Sequence, residues 1–304
     1  MTTVLVTGAT GFVGAHVVRD QIRRGADVHA LVRPASDDHR LADLEGSYTR
    51  AVADLRDAAT VTDLVRALAP DRVFHLGAAA MHAGRAPGAD ELVATNLAGT
   101  VTLLDACRDL QLEAFVLVGD AFEYGPGAGA RAEDAPCRPT SLDGITKLAA
   151  TLYGQARASA GLPVVAVRPF SIVGRDDDPR RLVPRLVETA RAGRTIELSD
   201  RRVTRDFVAV ADVVELLGRA ADAAARVCGR VFNCGRGEVV TLSGLVEAVE
   251  RVTGRPVDAR WGAFPVAEHD LDHPVADVSA AAEALGWRPT VSFEAMIADL
   301  WAGR

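Results

Sequence analysis

The stretch Thr3-Val4-Leu5-Val6-Thr7, followed at once by Gly8-Ala9-Thr10-Gly11-Phe12-Val13-Gly14, constrains the fold more than any other part of the chain. The first of these segments reads as a short buried strand, and from Phe12 to Arg24 the apolar spacing is helical up to Gly25. The glycines therefore fall at a strand-to-helix turn. One of them permits the tight turn, and another lets backbone N–H groups approach a pyrophosphate; the helix N-terminus adds partial positive charge. Strand, turn and helix together predict a dinucleotide site at Gly8, Thr10, Gly11, Phe12, Val13 and Gly14. The structural alternative is a helix cap with surplus glycines.

The residues that follow keep the same rhythm. A second strand, Asp27 to Val32, ends in Arg33-Pro34, where an acidic residue would otherwise hold the ribose hydroxyls. Arg33 favours a 2′-phosphate, so NADPH/NADP is expected, with NADH as the second choice. A third strand closes over residues 51–55, a helix spans 59–68, and a fourth strand over 71–76 leads to Gly77-Ala78-Ala79, whose small side chains leave room for a ligand. A long helical pattern over residues 88–110 precedes a fifth strand at 114–118. Strands alternating with helices predict an α/β chain with a doubly wound parallel Rossmann sheet and ligand at the carboxyl ends of its strands. Residues 1–170 are expected to form the NADP-binding domain. Residues 171–304 are expected to form mainly a smaller, interleaved C-terminal substrate-binding region, with segments at about 206–235 returning to the sheet.

Composition narrows the classes of function. The chain has 304 residues and a formal charge of −7, with no basic run interleaved with aromatics, so no nucleic-acid partner is expected. No apolar run approaches the roughly 20 residues that span a bilayer, and none precedes Val4 as a signal core, so no membrane partner and a cytoplasmic location are expected. Cys107, Cys137, Cys228 and Cys234 lack metal-binding spacing. His269 and His273, among Glu268, Asp270 and Asp272, read as a solvated acidic loop, so no metal is expected; Asp176-Asp177-Asp178 reads as an exposed loop.

Thr7 to Gly14, Asp54-Leu55, Phe74-His75-Leu76, Asn96, Tyr124-Gly125, Lys147, Arg168-Pro169-Phe170, Arg205-Asp206-Phe207 and Leu285-Gly286-Trp287 follow one another in a familiar order. In these the chain resembles an extended short-chain dehydrogenase/reductase over nearly its whole length. The resemblance implies that Gly8, Gly11 and Gly14 form the pyrophosphate turn and that Asp54 and Leu55 border the adenine. It places Gly77, Ala78 and Ala79 beside the nicotinamide ribose, Pro169, Phe170 and Ser171 near the carboxamide, and Lys147 on the ribose hydroxyls. It also implies a homodimer through the helices around residues 90–110 and 141–160.

Lys147 is the only lysine among 34 basic side chains, as expected of a position where a compact, rotatable donor suits two neighbouring hydroxyls. The resemblance breaks beside it. Four residues earlier, where redox members of the family carry tyrosine, stands Asp143, and Asp120 occupies the usual Ser or Thr position. Tyr153 does not replace the tyrosine, because six residues turn a helix by about 600° and aim it away from Lys147. Ionised carboxylates oppose a developing alkoxide: one such pair at 4 Å costs about 4 kcal/mol, roughly a thousandfold in rate.

Three readings remain for Asp120, Asp143 and Lys147 as the catalytic candidates. A buried carboxyl stays protonated and donates; Asp143 pairs with Lys147 as i,i+4 neighbours while the substrate supplies its own donor; or the protein binds cofactor without turnover. The second is favoured here. Met81, His82, Phe122, Tyr124 and Ile172 are expected at the substrate, and Met81, Phe122, Phe170, Ile172 and Val173 would make an apolar mouth suited to a flat aromatic. The chain thus resembles the atypical ketoreductases of aromatic-polyketide pathways, of the angucyclinone type found in simocyclinone biosynthesis. The expected function is NADPH-dependent reduction of a polycyclic aromatic ketone. The alternatives are a sugar-nucleotide epimerase, dehydratase or reductase, and an inactive NADP-binding sensor.

Overall fold

The computed structural model describes residues 1–80, 86–266, 271 and 273–303. The first five strands of the chain are β1 (Thr3–Thr7), β2 (Asp27–Val32), β3 (Thr49–Val52), β4 (Arg72–His75) and β5 (Ala114–Val118). They join the strands Val164–Pro169 and Val231–Cys234 in one seven-stranded sheet, in the order Val231–Cys234, Val164–Pro169, β5, β4, β1, β2, β3. β1 runs parallel to both β2 and β4, β2 to β3, and β5 to both β4 and Val164–Pro169. Parallel strands covered on both faces read as unbroken apolar runs, and Ala114 to Val118 are buried throughout. β3, at the sheet edge, instead exposes Thr49, Arg50 and Val52.

The connecting helices are α1 (Phe12–Arg23), α2 (Ala58–Leu68), α3 (Ala89–Leu92), α4 (Gly99–Ala106) and α5 (Leu142–Ser159). The doubly wound α/β fold expected from the alternation is present. Two local expectations are corrected. The third strand ends at Val52, because Asp54 turns back to accept the Arg56 amide at 2.9 Å. The helical pattern over 88–110 is not continuous: a π-helical turn, Val93–Ala98, separates α3 from α4. Such turns interrupt helices mostly at functional positions.

The chain divides into two compact units. The first comprises Met1–Glu123, Pro139–Arg168 and Val214–Phe232. Its core packs Leu5, Val73, Phe115 and Val164 of the strands against Val61, Val65, Leu103 and Leu104 of the helices. The second comprises Tyr124–Arg138, Pro169–Val213 and Asn233–Arg304. There the helices Leu182–Ala192, Leu242–Thr253 and Phe293–Ala302 bury Leu186, Val187, Leu245, Val249, Met296 and Ile297 together.

Asp206, fully buried, ties the second unit locally by accepting the amides of Arg236, Gly237 and Ala276 at 2.8, 3.0 and 2.9 Å. Asp177 departs from the exposed loop expected of it. Its side chain is 3% exposed and faces Arg181 at 3.3 Å, and burial pushes its carboxyl up to about 6. Among the described residues no helix is long and apolar enough to cross a membrane.

Candidate functional site

The carboxyl ends of β1, β4 and β5 carry the site in the first unit. β1 runs through Thr7 into Gly8, and α1 starts with Gly11 as its N-cap, with no side chain supplying the cap. The first-turn N–H groups of a helix have no intrahelical partner, so Phe12, Val13 and Gly14 present donors toward an anion. Gly14 has a packing reason as well: a Cβ there would collide with the carbonyl of Gly8, so helix and turn meet only through glycine. Thr10, Phe12 and Val13 are half-buried around this turn.

Beyond β2, Arg33 is exposed, and its charge helps hold the Asp54 carboxyl below the usual range, the hydrogen bond from Arg56 being the largest cause. That bond is bidentate, at 3.0 and 2.6 Å. Leu55 is buried.

At the end of β4 a hydrogen-bond relay fixes the backbone. Thr100 Oγ1 donates to the Asn96 carbonyl at 2.6 Å, which leaves it to accept from His75 Nε2 at 2.8 Å. Nε2 thus carries a proton, and with the ring kept neutral by burial Nδ1 accepts from Thr7 Oγ1 at 2.6 Å. The Thr7 hydroxyl in turn accepts the Gly77 amide at 2.9 Å. Burial, with the Lys147 charge adding to it, pushes His75 down to about 3.

Asn96, buried in the π turn, clamps Ala79 from both sides, accepting its amide at 2.7 Å and donating to its carbonyl at 2.9 Å. Asn96 Nδ2 also lies 3.1 Å from Thr146 Oγ1 and 3.3 Å from Asp143 Oδ1. Gly77 and Ala78 are thereby held half-buried between two anchored positions.

α5 brings the charged groups. Ser141 Oγ caps it by accepting the Gly144 amide at 3.1 Å. Lys147 Nζ donates to the Val118 carbonyl at 3.0 Å, and among the described residues no ion pair joins it to Asp143. The expected i,i+4 salt bridge is thus replaced by two tertiary bonds, Lys147 to Val118 and Asn96 to Asp143. Tyr153 faces elsewhere, its hydroxyl donating to Asp105 at 2.8 Å.

Asp120 follows β5 and accepts the Phe122 amide on Oδ1 at 2.8 Å. Burial pushes its carboxyl up to about 7; the Phe122 amide and Lys147 oppose this, and the charges of Asp143 and Glu123 reinforce it. A cavity lined by His75, Asn96, Gly119, Lys147, Ala150 and Thr151 lies at the ends of β4 and β5, and neither Asp120 nor Asp143 lines it.

Sequence reasoning did not place Asn96, His75, Glu123 or Arg168 in this site. Glu123 is fully buried, and its Oε2 accepts from Arg168 Nε at 2.8 Å. Its Oε1 accepts the Asp120 amide at 2.9 Å and the Thr151 hydroxyl at 3.0 Å. The available signal was weak: an acid directly before Tyr124-Gly125 and an arginine directly before Pro169.

Other expected positions lie elsewhere. Met81 and His82, like Glu268, His269, Asp270 and Asp272, fall outside the described residues. Phe122 is 44% exposed. In the second unit Tyr124 is buried, its hydroxyl donating to Asn233 at 2.8 Å. Pro169 is buried, and Phe170, also buried, packs its ring against Tyr124; Ser171 and Ile172 are half-buried in a strand paired with Phe207–Ala209.

The chain matches the model of the NAD dependent epimerase/dehydratase family over residues 4–235, and it belongs to that family. Across 96% of this chain and 94% of the relative it is 30% identical to the low-salt glycan biosynthesis protein Agl12 of Haloferax volcanii. It is 29% identical to a UDP-glucose 4-epimerase of Streptomyces lividans, over 98% of this chain and 94% of that one. The structure of MoeE5 in complex with UDP-glucuronic acid and NAD matches with a TM-score of 0.85 and 30% identity, covering 98% of this chain and 97% of that one.

These relatives overturn the expected ketoreduction of a polycyclic aromatic ketone, because their names and ligands are those of sugar nucleotides.

Replacing Glu123 by Ala removes the counter-charge of a buried guanidinium and should cost about 3–5 kcal/mol. A thermal melt is expected to fall by roughly 10 °C. A change under about 1 kcal/mol would show the pair to be incidental.

Proposed function

We propose that the chain is a nicotinamide-dependent enzyme that moves a hydride at a carbinol carbon of a nucleotide-linked sugar. The observation that carries this reading is the end-to-end likeness, spanning both units, to a UDP-glucose 4-epimerase and to a protein solved with UDP-glucuronic acid and NAD.

The residues at the strand ends fit the cofactor. Gly8, Gly11 and Gly14 leave the α1 N-terminus open to a pyrophosphate, and the Cβ-free turn admits close backbone approach. Lys147 lies where an ammonium would bond ribose hydroxyls, and the anchored Gly77-Ala78-Ala79 segment offers small side chains beside it. The nicotinamide, when bound, supplies the hydride acceptor and donor.

NADP(H) is the proposed form. Arg33 is exposed beyond β2, and Asp54, on which its charge acts, is held by Arg56 rather than left for ribose hydroxyls. The exposed apolar stripe Leu142, Ile145 and Leu152 on α5, at 53, 46 and 55% exposure, supports self-association of two chains through that helix.

Titration calorimetry with UDP-glucose, UDP-glucuronic acid and dTDP-glucose in the presence of NADP+ is expected to show saturable binding of at least one. Absence of binding by all three would sink the substrate reading. Arg33→Ala is expected to raise KM for NADPH about tenfold, or about 1.4 kcal/mol, while leaving KM for NADH within about twofold. Equal effects on both cofactors would reject the 2′-phosphate role. In light scattering, Leu152→Glu should halve the mass of the particle, and an unchanged mass would exclude α5 as the dimer face.

A further inference from the structure

α5 meets the sheet along one stripe. Gly144, Lys147, Thr151 and Gly154 follow one another at helical spacing, which puts them on one side of the helix. At its two ends the stripe comes close to its neighbours through glycine: a Cβ on Gly144 would stand 2.6 Å from the Phe122 carbonyl oxygen, and one on Gly154 would stand 3.0 Å from Leu117 Cδ2. Between these ends the contacts are polar. Thr151, fully buried, donates its hydroxyl to Glu123 Oε1 at 3.0 Å, and Lys147 Nζ donates to the Val118 carbonyl at 3.0 Å.

Glu123 is itself fixed before it meets Thr151. Its Oε2 accepts from Arg168 Nε at 2.8 Å, and its Oε1 also accepts the Asp120 amide at 2.9 Å. The space it enters is that of a missing side chain, since a Cβ on Gly119 would collide with Glu123 Oε1 and stand 3.3 Å from Thr151 Oγ1. Val118 lies opposite Val167 in the sheet, and Gly119 donates its amide to the Val167 carbonyl at 2.8 Å. The carbonyl that holds Lys147 and the carboxylate that holds Thr151 are therefore referred to the same two strands, β5 and Val164–Pro169.

An ammonium carries three donors. Among the described residues Val118 takes one of them, and the other two suit neighbouring ribose hydroxyls only if Nζ stands at one depth beside the strand ends. The flexible stem of a lysine does not supply that depth, so the helix beneath it must. Resting on the cofactor part of the reading above, we propose that Glu123, acting through Thr151, is the positioning residue for Lys147. Its carboxylate locks the turn of α5 that follows Lys147 and so sets Nζ against the ribose of the nicotinamide cofactor. Apolar residues of similar volume would often be as stable as a buried ion pair, so stability alone does not account for a carboxylate here. Its directed acceptor oxygens do, because a hydrocarbon side chain would pack beside Thr151 without fixing it.

Lys147 is the only lysine in the chain, so protein grown with 13C-lysine carries one labelled side chain whose NMR signal reports that residue directly. Thr151→Val keeps the shape of the side chain and removes its hydroxyl, whereas Thr151→Ser keeps the hydroxyl. In Thr151→Val the Lys147 Cε signal is expected to move in the cofactor-free protein, and the dissociation constant for NADPH to rise about tenfold. Thr151→Ser is expected to keep the signal near its wild-type place and the constant within about twofold. Gly119→Ala reaches the same contact from the other side, because its methyl group displaces the end of the Glu123 side chain. It is expected to move the signal and weaken NADPH binding as well, and it supplies the reading should Thr151→Val fail to fold.

A folded Thr151→Val or Gly119→Ala protein that melts below wild type, yet keeps the wild-type Lys147 signal and NADPH affinity, makes the contact structural only and overturns the proposal. Equal losses in Thr151→Ser overturn it too, since they assign the effect to packing and not to the hydroxyl. A wild-type Lys147 signal that neither NADPH nor NADH moves overturns the cofactor reading instead, while the cofactor-free signal of Thr151→Val still decides whether Glu123 and Thr151 place Lys147.

Discussion

The buried ion pair between Glu123 and Arg168 is the constraint on which the geometry of the site depends. Both side chains are out of solvent, at 0 and 4% exposure, and the desolvation of two charges costs several kcal/mol per ion. Apolar residues of similar volume would often be as stable, so the pair is better understood through the directions it imposes. Glu123 distributes its oxygens among Arg168, the Asp120 amide and the Thr151 hydroxyl. It therefore joins the strand Val164–Pro169, the turn after β5 and the middle of α5 at one point. Gly119 is glycine for the same reason, since a Cβ there would collide with Glu123 Oε1.

A second network holds the neighbouring strand end without any charge. The relay runs from Gly77 through Thr7, His75 and Thr100 to the Asn96 carbonyl, and burial keeps its imidazole neutral, so an uncharged ring orients the end of β1, the segment after β4 and the π turn together. Asn96 then uses its carboxamide to hold Ala79 and to reach Thr146 and Asp143. The π turn is what aims that carboxamide: a regular helix over the same residues would carry Asn96 to another azimuth. Backbone positions with small side chains are thereby made rigid by polar groups behind them, as suits a surface against which a flat cofactor is to lie.

These two networks also explain what was legible in the sequence. The glycine turn, α1 and the alternation of strands and helices are local in cause, set by residues within one element of each other, and they could be read. The π turn could not, because the periodicity of residues 88–110 is helical throughout and the interruption is stabilised by Ala79 and Thr146, distant in sequence. Nothing local marks Glu123, because its partner Arg168 lies 45 residues away. The pairing of Asp143 with Lys147 was a sound inference from i,i+4 spacing, and it failed because both groups have tertiary partners that an isolated helix lacks. Phe170 and Tyr124 pack against each other within the second unit, and a sequence does not separate that use of an aromatic side chain from contact with a ligand.

The carboxyl groups near Lys147 have a common electrostatic logic. A tyrosine starts with a pKa of about 10, and a neighbouring ammonium lowers it. An aspartate starts at about 3.9 and must travel the other way, so the same ammonium works against it. A single tyrosine-to-aspartate exchange would leave an ionised carboxylate held low by Lys147, a poor base and no acid at all. Burial of Asp120 raises its carboxyl, and the second carboxylate, Asp143, offsets the ammonium whose effect is otherwise downward. The rise of the Asp120 carboxyl thus comes first from burial, with the charge of Asp143 adding to it against the opposing pull of the only lysine in the chain.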